Sequence, residues 1–153
     1  MVLKISQLLK AKAIMMDIDA KEKIAAIKEM VDYLVAKKLV ADGEAFLNAL
    51  AKRENLESTG IGDGIAIPHA RTGAVKGLLL AFARSQEGVD FSAIDGKPSY
   101  LIFLIASPED KKSEYIMALA KISRLLRRPQ VRDQLKRARN AQEVLDIIKS
   151  NEE

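Results

Sequence analysis

Two short, apolar, β-compatible runs, Leu78 to Arg84 and Tyr100 to Ala106, lie among segments whose apolar residues recur at helical spacing. That alternation leaves few architectures open. Turn chemistry at Glu87-Gly88 and Asp95-Gly96 separates the two runs, so both read as core strands, and Ile65 to Ile67 reads as a third, shorter one. Asp19 with Glu22 forms a capping-box pattern ahead of Ile24, Ile27, Val31, Leu34 and Val35, which predicts a long amphipathic helix. Asp42 is the expected N-cap of a second helix that buries Phe46, Leu47 and Leu50 and places Arg53 near its end. After Pro108, Ile116, Leu119, Ile122, Leu125 and Leu126 give another helical stripe. Pro129 opens a further helix, and Asn140 with Glu143 caps the last. The pattern predicts an α/β sandwich, and a chain of 153 residues fits one domain, 1–153, with no internal repeat or low-complexity linker.

Composition narrows the class. A hydrophobic share of 48% beside 30% charged residues belongs to a globular chain. With no cysteine, disulfide and thiolate chemistry are excluded. The longest apolar segments fall far below the roughly 18 residues that a membrane span requires, and Lys4, Lys10 and Lys12 interrupt the N-terminal region where a signal-peptide core would lie. Cytoplasm is the expected location. Eight basic residues (Lys121, Arg124, Arg127, Arg128, Arg132, Lys136, Arg137 and Arg139) and one acidic residue, Asp133, give a local +7 against +4 for the whole chain. Such a stretch suits nucleic acid or an acidic protein surface, but the apolar residues between the charges are those of half-buried helices, and no aromatic interleaving offers base stacking. A solvated face is the commoner reading, and nucleic acid is not an expected partner.

The one histidine, His69, closes the most irregular stretch, Ser58 to Arg71. Imidazole is the side chain whose ordinary pKa lies in the physiological window, and its neutral form is both nucleophile and proton acceptor. Gly60, Gly62 and Gly64 permit positive φ and close main-chain approach, while Pro68 fixes φ just before the imidazole. These constraints fit either a reactive loop or an ordinary bulge or turn. The spacing G-x-G-x-G lacks the third glycine of a dinucleotide fingerprint and runs into a proline instead of a helix. No Walker sequence and no G-x-S-x-G elbow is present, and one histidine without cysteine makes no conventional zinc site, so neither a metal nor an organic cofactor is expected.

Arg53-Glu54-Asn55, then Ser58-Thr59-Gly60-Ile61-Gly62, then Gly64-Ile65-Ala66-Ile67-Pro68-His69 resembles the active-site signature of the type-2 IIA domains of the bacterial phosphoenolpyruvate-dependent phosphotransferase system, the fructose, mannitol and nitrogen-regulatory branch. The similarity extends from Ile5-Ser6-Gln7-Leu8-Leu9 to the closing helix around Val144 to Ile148. It implies a central mixed β-sheet flanked by α-helices, a phosphohistidine at His69 filled by a phosphocarrier protein of the HPr type, and an Arg53 that binds the phosphoryl oxygens. Phosphoryl transfer passes through a loose transition state with charge on three equatorial oxygens, so positioning and charge stabilisation are the protein's task. A guanidinium fork matches those oxygens. Backbone N–H groups of Gly60, Gly62 and Gly64 are expected to add an anion nest, with the Thr59 hydroxyl either a further phosphate donor or engaged in a local turn. Arg71, two residues past His69, shares its side if the segment is extended, although solvent exposure is the favoured reading.

One position departs from the family. Many members, especially sugar-transporting ones, carry a second histidine on the helix after the strand matching Tyr100 to Ala106, and counting without gaps from Pro108 that place holds Tyr115. Tyrosine can donate a hydrogen bond to a phosphoryl oxygen, pack on the imidazole or close the pocket edge, but with an ordinary pKa near 10 it is no proton carrier at pH 7. The resemblance therefore implies a phosphoryl carrier of nitrogen-regulatory type that signals to a target protein by its phosphorylation state. The alternatives are a fructose- or mannitol-specific component passing phosphate to a IIB domain and a binding module that is never phosphorylated.

Overall fold

Strand β6 (Ser99–Ser107) is buried at every position except Tyr100, which marks it as a central strand covered on both faces. A computed structural model describes residues 3–152, and in it β6 is paired along both edges. On one edge runs β5 (Leu79–Val89), antiparallel, with Phe82 opposite Phe103 and their rings 4.9 Å apart. On the other edge β3 (Ile65–Ala66) and β4 (His69–Arg71) run parallel to β6 in succession. Outside β5 lies β1 (Leu9–Met15), parallel to it, and outside β3 lies β2 (Gly60–Gly62), antiparallel. The sheet is mixed, in the order β1-β5-β6-β3-β2.

Helices α2 (Lys23–Ala36) and α3 (Gly43–Leu56) pack on each other. A second group comprises α1 (Ile5–Leu8), α4 (Lys112–Leu126), α5 (Pro129–Arg137) and α6 (Ala141–Asn151). Both groups rest on the sheet, giving the expected α/β sandwich. The caps at Asp42 and Asn140 form as expected: Asp42 Oδ1 accepts from the Ala45 N–H at 3.0 Å and Asn140 Oδ1 from the Glu143 N–H at 2.9 Å. Pro129 stands in the first turn of α5.

Three expectations need correction. Helix α2 starts from Glu22, whose carboxylate accepts from the Ala25 N–H, while the Asp19 and Ala20 amides donate to Glu29; the presumed cap residue is itself being capped. Glu87-Gly88 does not end a strand. Gly88 has φ +96° at a register shift between Arg84 and Val89, so it is a bulge within β5, and a Cβ there would lie 2.6 Å from that of Pro98. On α4 the inward stripe is Tyr115, Ala118, Ile122, Leu125 and Leu126, leaving Ile116 outside. Asp95-Gly96 is the turn expected, with Gly96 at φ +71° and Asp95 accepting from the Lys97 N–H. Among the described residues no helix is long and apolar enough to cross a membrane.

Arg84, on β5, ties the layers together. Its Nε donates to the Met16 carbonyl at 3.1 Å, and its Nη1 donates to the carbonyls of Leu135 (3.3 Å), Lys136 (3.1 Å) and Ala138, the open end of α5. A buried cation at a helix C-terminus satisfies carbonyls that have no intrahelical donor and complements the dipole. Much of the basic stretch is spent similarly: Arg128 on Asn151, Arg132 on the Leu126 and Arg127 carbonyls, Lys121 on the Leu3 carbonyl. Replacing Arg84 by methionine keeps bulk but strands these acceptors, and urea denaturation is expected to show a loss of about 2–4 kcal/mol. The imidazole titration of His69 should be unchanged, because the two sites share no partner.

Candidate active site

Helix α3 delivers two adjacent charged side chains to opposite fates. Arg53, half-buried in the last turn, donates from Nη1 to the Glu57 carbonyl at 2.8 Å, as a cation at a helix C-terminus should. Glu54 points inward and is 2% exposed. Its two carboxylate oxygens accept from the Thr59 N–H and the Thr59 hydroxyl, both at 2.7 Å, which folds the chain back after the helix. Ser58 donates its hydroxyl to the Phe91 carbonyl and accepts the Gly60 N–H at 3.0 Å. The chain then forms the β2–β3 hairpin, with Asp63 (φ +56°) and Gly64 (φ +77°) at its tip. On return, the Ile67 N–H donates to the Thr59 carbonyl at 3.0 Å, and the Pro68 carbonyl accepts the Ile105 N–H at 3.0 Å. His69 is thereby placed beside Ile105 at the start of β4.

His69 Nδ1 lies 2.7 Å from the Ile67 carbonyl. A carbonyl only accepts, so we assign the proton to Nδ1 and the free lone pair to Nε2. Burial pushes the imidazole pKa below its ordinary 6.5, the Ile67 hydrogen bond opposes that shift, the Arg53 charge adds to it, and the Glu54 charge opposes it. The ring is thus neutral at pH 7 with its nucleophilic nitrogen defined. Tyr115 packs against it at 5.9 Å between centroids, tilted 55°. Burial raises the phenol's pKa above its ordinary 10, against the opposing charges of Arg53 and Arg71, so it remains a neutral O–H donor. Arg71 is solvent-exposed, as favoured, yet it lies on the extended β4 two residues from His69 and its field reaches Tyr115.

The expected anion nest is not offered by this geometry. Along β6, Leu101 lies beside Ile65 and Ile105 beside His69, so the hairpin tip with Gly62 and Gly64 is displaced from the histidine by four strand residues, about 13 Å. The Gly60 N–H is taken by Ser58, and the Thr59 hydroxyl by Glu54. The glycines serve close packing: a Cβ on Gly60 would meet Phe91 and Ala93 at 3.0 Å, and one on Gly64 would meet the Tyr100 ring at 3.2 Å. Arg53 and Glu54 act on His69 by charge and Tyr115 by contact, while Arg71 acts on Tyr115. Glu54 is the member not singled out from sequence. Its signal was there: Phe46, Leu50 and Glu54 stand four residues apart, which puts a carboxylate on the buried stripe of α3. No cluster suited to a metal ion occurs among the described residues.

Residues 7–151 match the family model for the phosphoenolpyruvate-dependent sugar phosphotransferase system, EIIA 2. The chain belongs to that family. As a type-2 EIIA protein it is 41% identical over 150 residues to the fructose-specific EIIABC component of Bacillus subtilis, aligning 98% of this chain but spanning only about a quarter (24%) of that relative. The crystal structure of the nitrogen regulatory protein IIA-Ntr from Neisseria meningitidis superposes with a TM-score of 0.87 at 33% identity, over 94% of this chain and 98% of that one. The mannitol IIA of Escherichia coli, solved in complex with phosphorylated IIB, gives 0.78 at 26% identity over 94% and 99%. EIIA proteins of this family are phosphoryl carriers, which agrees with a neutral imidazole whose Nε2 is free.

The His69 imidazole is expected to titrate below pH 6.5 with its proton on Nδ1 at pH 7, both readable from ring ¹⁵N and ¹H shifts in an NMR pH series. Because the folded state resists protonation, stability attributable to this group is fully present above pH 6.5 and is lost as pH falls through the folded-state pKa. A midpoint above 6.5 would contradict the burial argument.

Proposed function

We propose that this chain is a cytoplasmic phosphoryl carrier that accepts a phosphoryl group on His69 Nε2 from a phosphohistidine of an HPr-type protein. The observation that carries the reading is the Nδ1–H bond to the Ile67 carbonyl, which leaves Nε2 as the only nucleophilic nitrogen. The Nε2 lone pair forms the new N–P bond as the donor's N–P bond breaks, and the departing pair stays on the donor nitrogen. No proton need move, since Nδ1 keeps its own. Arg53 supplies the bidentate donors for the transferring oxygens, and Tyr115 offers its O–H at the edge.

The output is a switch. About two negative charges placed among Arg53, Arg71 and Tyr115 reverse the local potential and alter the surface offered to a regulated target protein. Tyr115 supports this over relay, because a neutral phenol beside His69 cannot act as an imidazole acid or base. A second reading, transfer to a fructose- or mannitol-type IIB domain, is favoured by the 41% identity to a fructose-specific protein. Presenting the phosphorylated chain to purified IIB domains, with parallel pull-downs using both forms, separates the two. Rapid transfer with identical partner profiles would establish relay instead.

Incubation with phosphoenolpyruvate and the general phosphotransferase components should label His69 alone, as an acid-labile and alkali-stable phosphoramidate located by mass spectrometry; His69→Ala should take no label. Arg53→Lys keeps the charge but loses the fork, and its labelling rate is expected to fall by about tenfold or more at a near-parental melting temperature. Labelling at the parental rate would reduce Arg53 to a helix cap.

A further inference from the structure

Glu54 is a buried carboxylate without an ion pair among the described residues, although a guanidinium belongs to its immediate neighbour in sequence. Arg53 turns instead to the Glu57 carbonyl. Burying an anion is costly, and this one sits in the last turn of α3, where the helix dipole disfavours negative charge. A neutral or apolar side chain would continue the Phe46–Leu50 stripe with less expense. The two Thr59 donors satisfy the carboxylate but do not by themselves explain why a charge is present.

The bonds continue beyond Thr59. Its carbonyl accepts the Ile67 N–H at 3.0 Å, and the Ile67 carbonyl accepts the His69 Nδ1–H at 2.7 Å. Every donor in this chain faces toward Glu54, so the carboxylate anchors the segment whose last carbonyl fixes the imidazole. The arrangement resembles in effect the outer partners that orient a metal-bound histidine, with two backbone segments interposed. Its charge also acts through space: a fixed negative charge that favours the protonated imidazole disfavours a dianionic phosphoryl group on the same ring.

We propose that Glu54 is a positioning residue of the phosphoryl site, holding the Nδ1–H tautomer of His69 through Thr59 and Ile67 and opposing, by its charge, accumulation of the phosphorylated form. This rests on His69 being the phosphoryl acceptor. A carrier must release what it accepts, and Arg53 alone would trap the dianion. Glu54 keeps the phosphohistidine ready for transfer.

The test uses Glu54→Gln, Glu54→Asp and Thr59→Val in the full chain, with two readouts. The first is the ring NMR titration of His69 in unphosphorylated protein, which needs no phosphoryl donor. Glu54→Gln should lower the midpoint and blur the single tautomer. Thr59→Val, which keeps the charge but removes one donor from it, should raise the midpoint. The second readout is the equilibrium of phosphoryl exchange with a phosphorylated HPr-type carrier. Glu54→Gln should shift it several-fold toward phosphorylated His69, whereas Glu54→Asp should restore the parental equilibrium while slowing transfer through poorer reach.

A parental midpoint and equilibrium in folded Glu54→Gln would overturn the proposal, as would equal shifts of the equilibrium in the glutamine and aspartate variants. If Glu54→Gln does not fold, an unmoved midpoint in Thr59→Val overturns it equally. Failure of the parent to take any label would reject the phosphoryl reading, and the titration would still decide whether Glu54 governs the imidazole.

Discussion

The hydrogen bond from the Ile105 amide to the Pro68 carbonyl is small in itself, yet the site depends on it. It joins the irregular segment after β3 to the most deeply buried strand and sets His69 beside Ile105. Proline has no N–H to give, so at Pro68 the chain binds β6 through its carbonyl alone. Since strand side chains alternate, a slip of one residue would turn the imidazole to the other face of the sheet, away from Arg53 and Tyr115. Register is protected because β6 is locked along its other edge by a long antiparallel ladder with β5, centred on Phe82 and Phe103.

How much of this was legible in the sequence depended on whether burial or partnership determined each feature. Tyr100 to Ala106 reads as a core strand because burial on both faces demands an unbroken apolar run, and the fold bears it out in β6. The caps at Asp42 and Asn140 are equally local, each a side chain bonded three residues on. By contrast β1, β2 and β4 escaped notice. β1 is an edge strand whose exposed positions carry Lys10 and Lys12, a common protection against edge-to-edge pairing and one that hides the β pattern. β2 and β4 are three residues each and exist only because β3 and β6 are there to pair with.

The same division runs through the site. His69 and Arg53 are candidates by residue type and motif, and the fold brings the charge of one to bear on the ring of the other. The glycines could not be assigned that way, because whether an amide is free depends on what stands opposite: Ser58 takes the amide of Gly60, and the hairpin carries Gly62 and Gly64 away along β6. Of the two readings open for Thr59, phosphate donor or local hydrogen bond, the second holds, because its buried acceptor, Glu54, stands five residues earlier.

Two arginines show how one physical motif can consume nearly all of a guanidinium's donors in one place and only one of them in another. Arg84 and Arg53 both bind carbonyls at the C-terminal end of a helix, α5 and α3 respectively. Arg84 is buried, and its donors are distributed over Met16, Leu135, Lys136 and Ala138, with Asp17 nearby at 3.6 Å; it has little left to offer. Arg53 is half-buried and gives one bond, to Glu57, from a group that carries five N–H donors. Its charge reaches the imidazole, which burial holds in its neutral, nucleophilic form. In the carrier reading proposed above, a cation so placed raises no charge-pairing demand on His69 before reaction and would meet the phosphoryl dianion when it arrives. Preorganisation of that kind requires an unspent donor held in place by one that is spent.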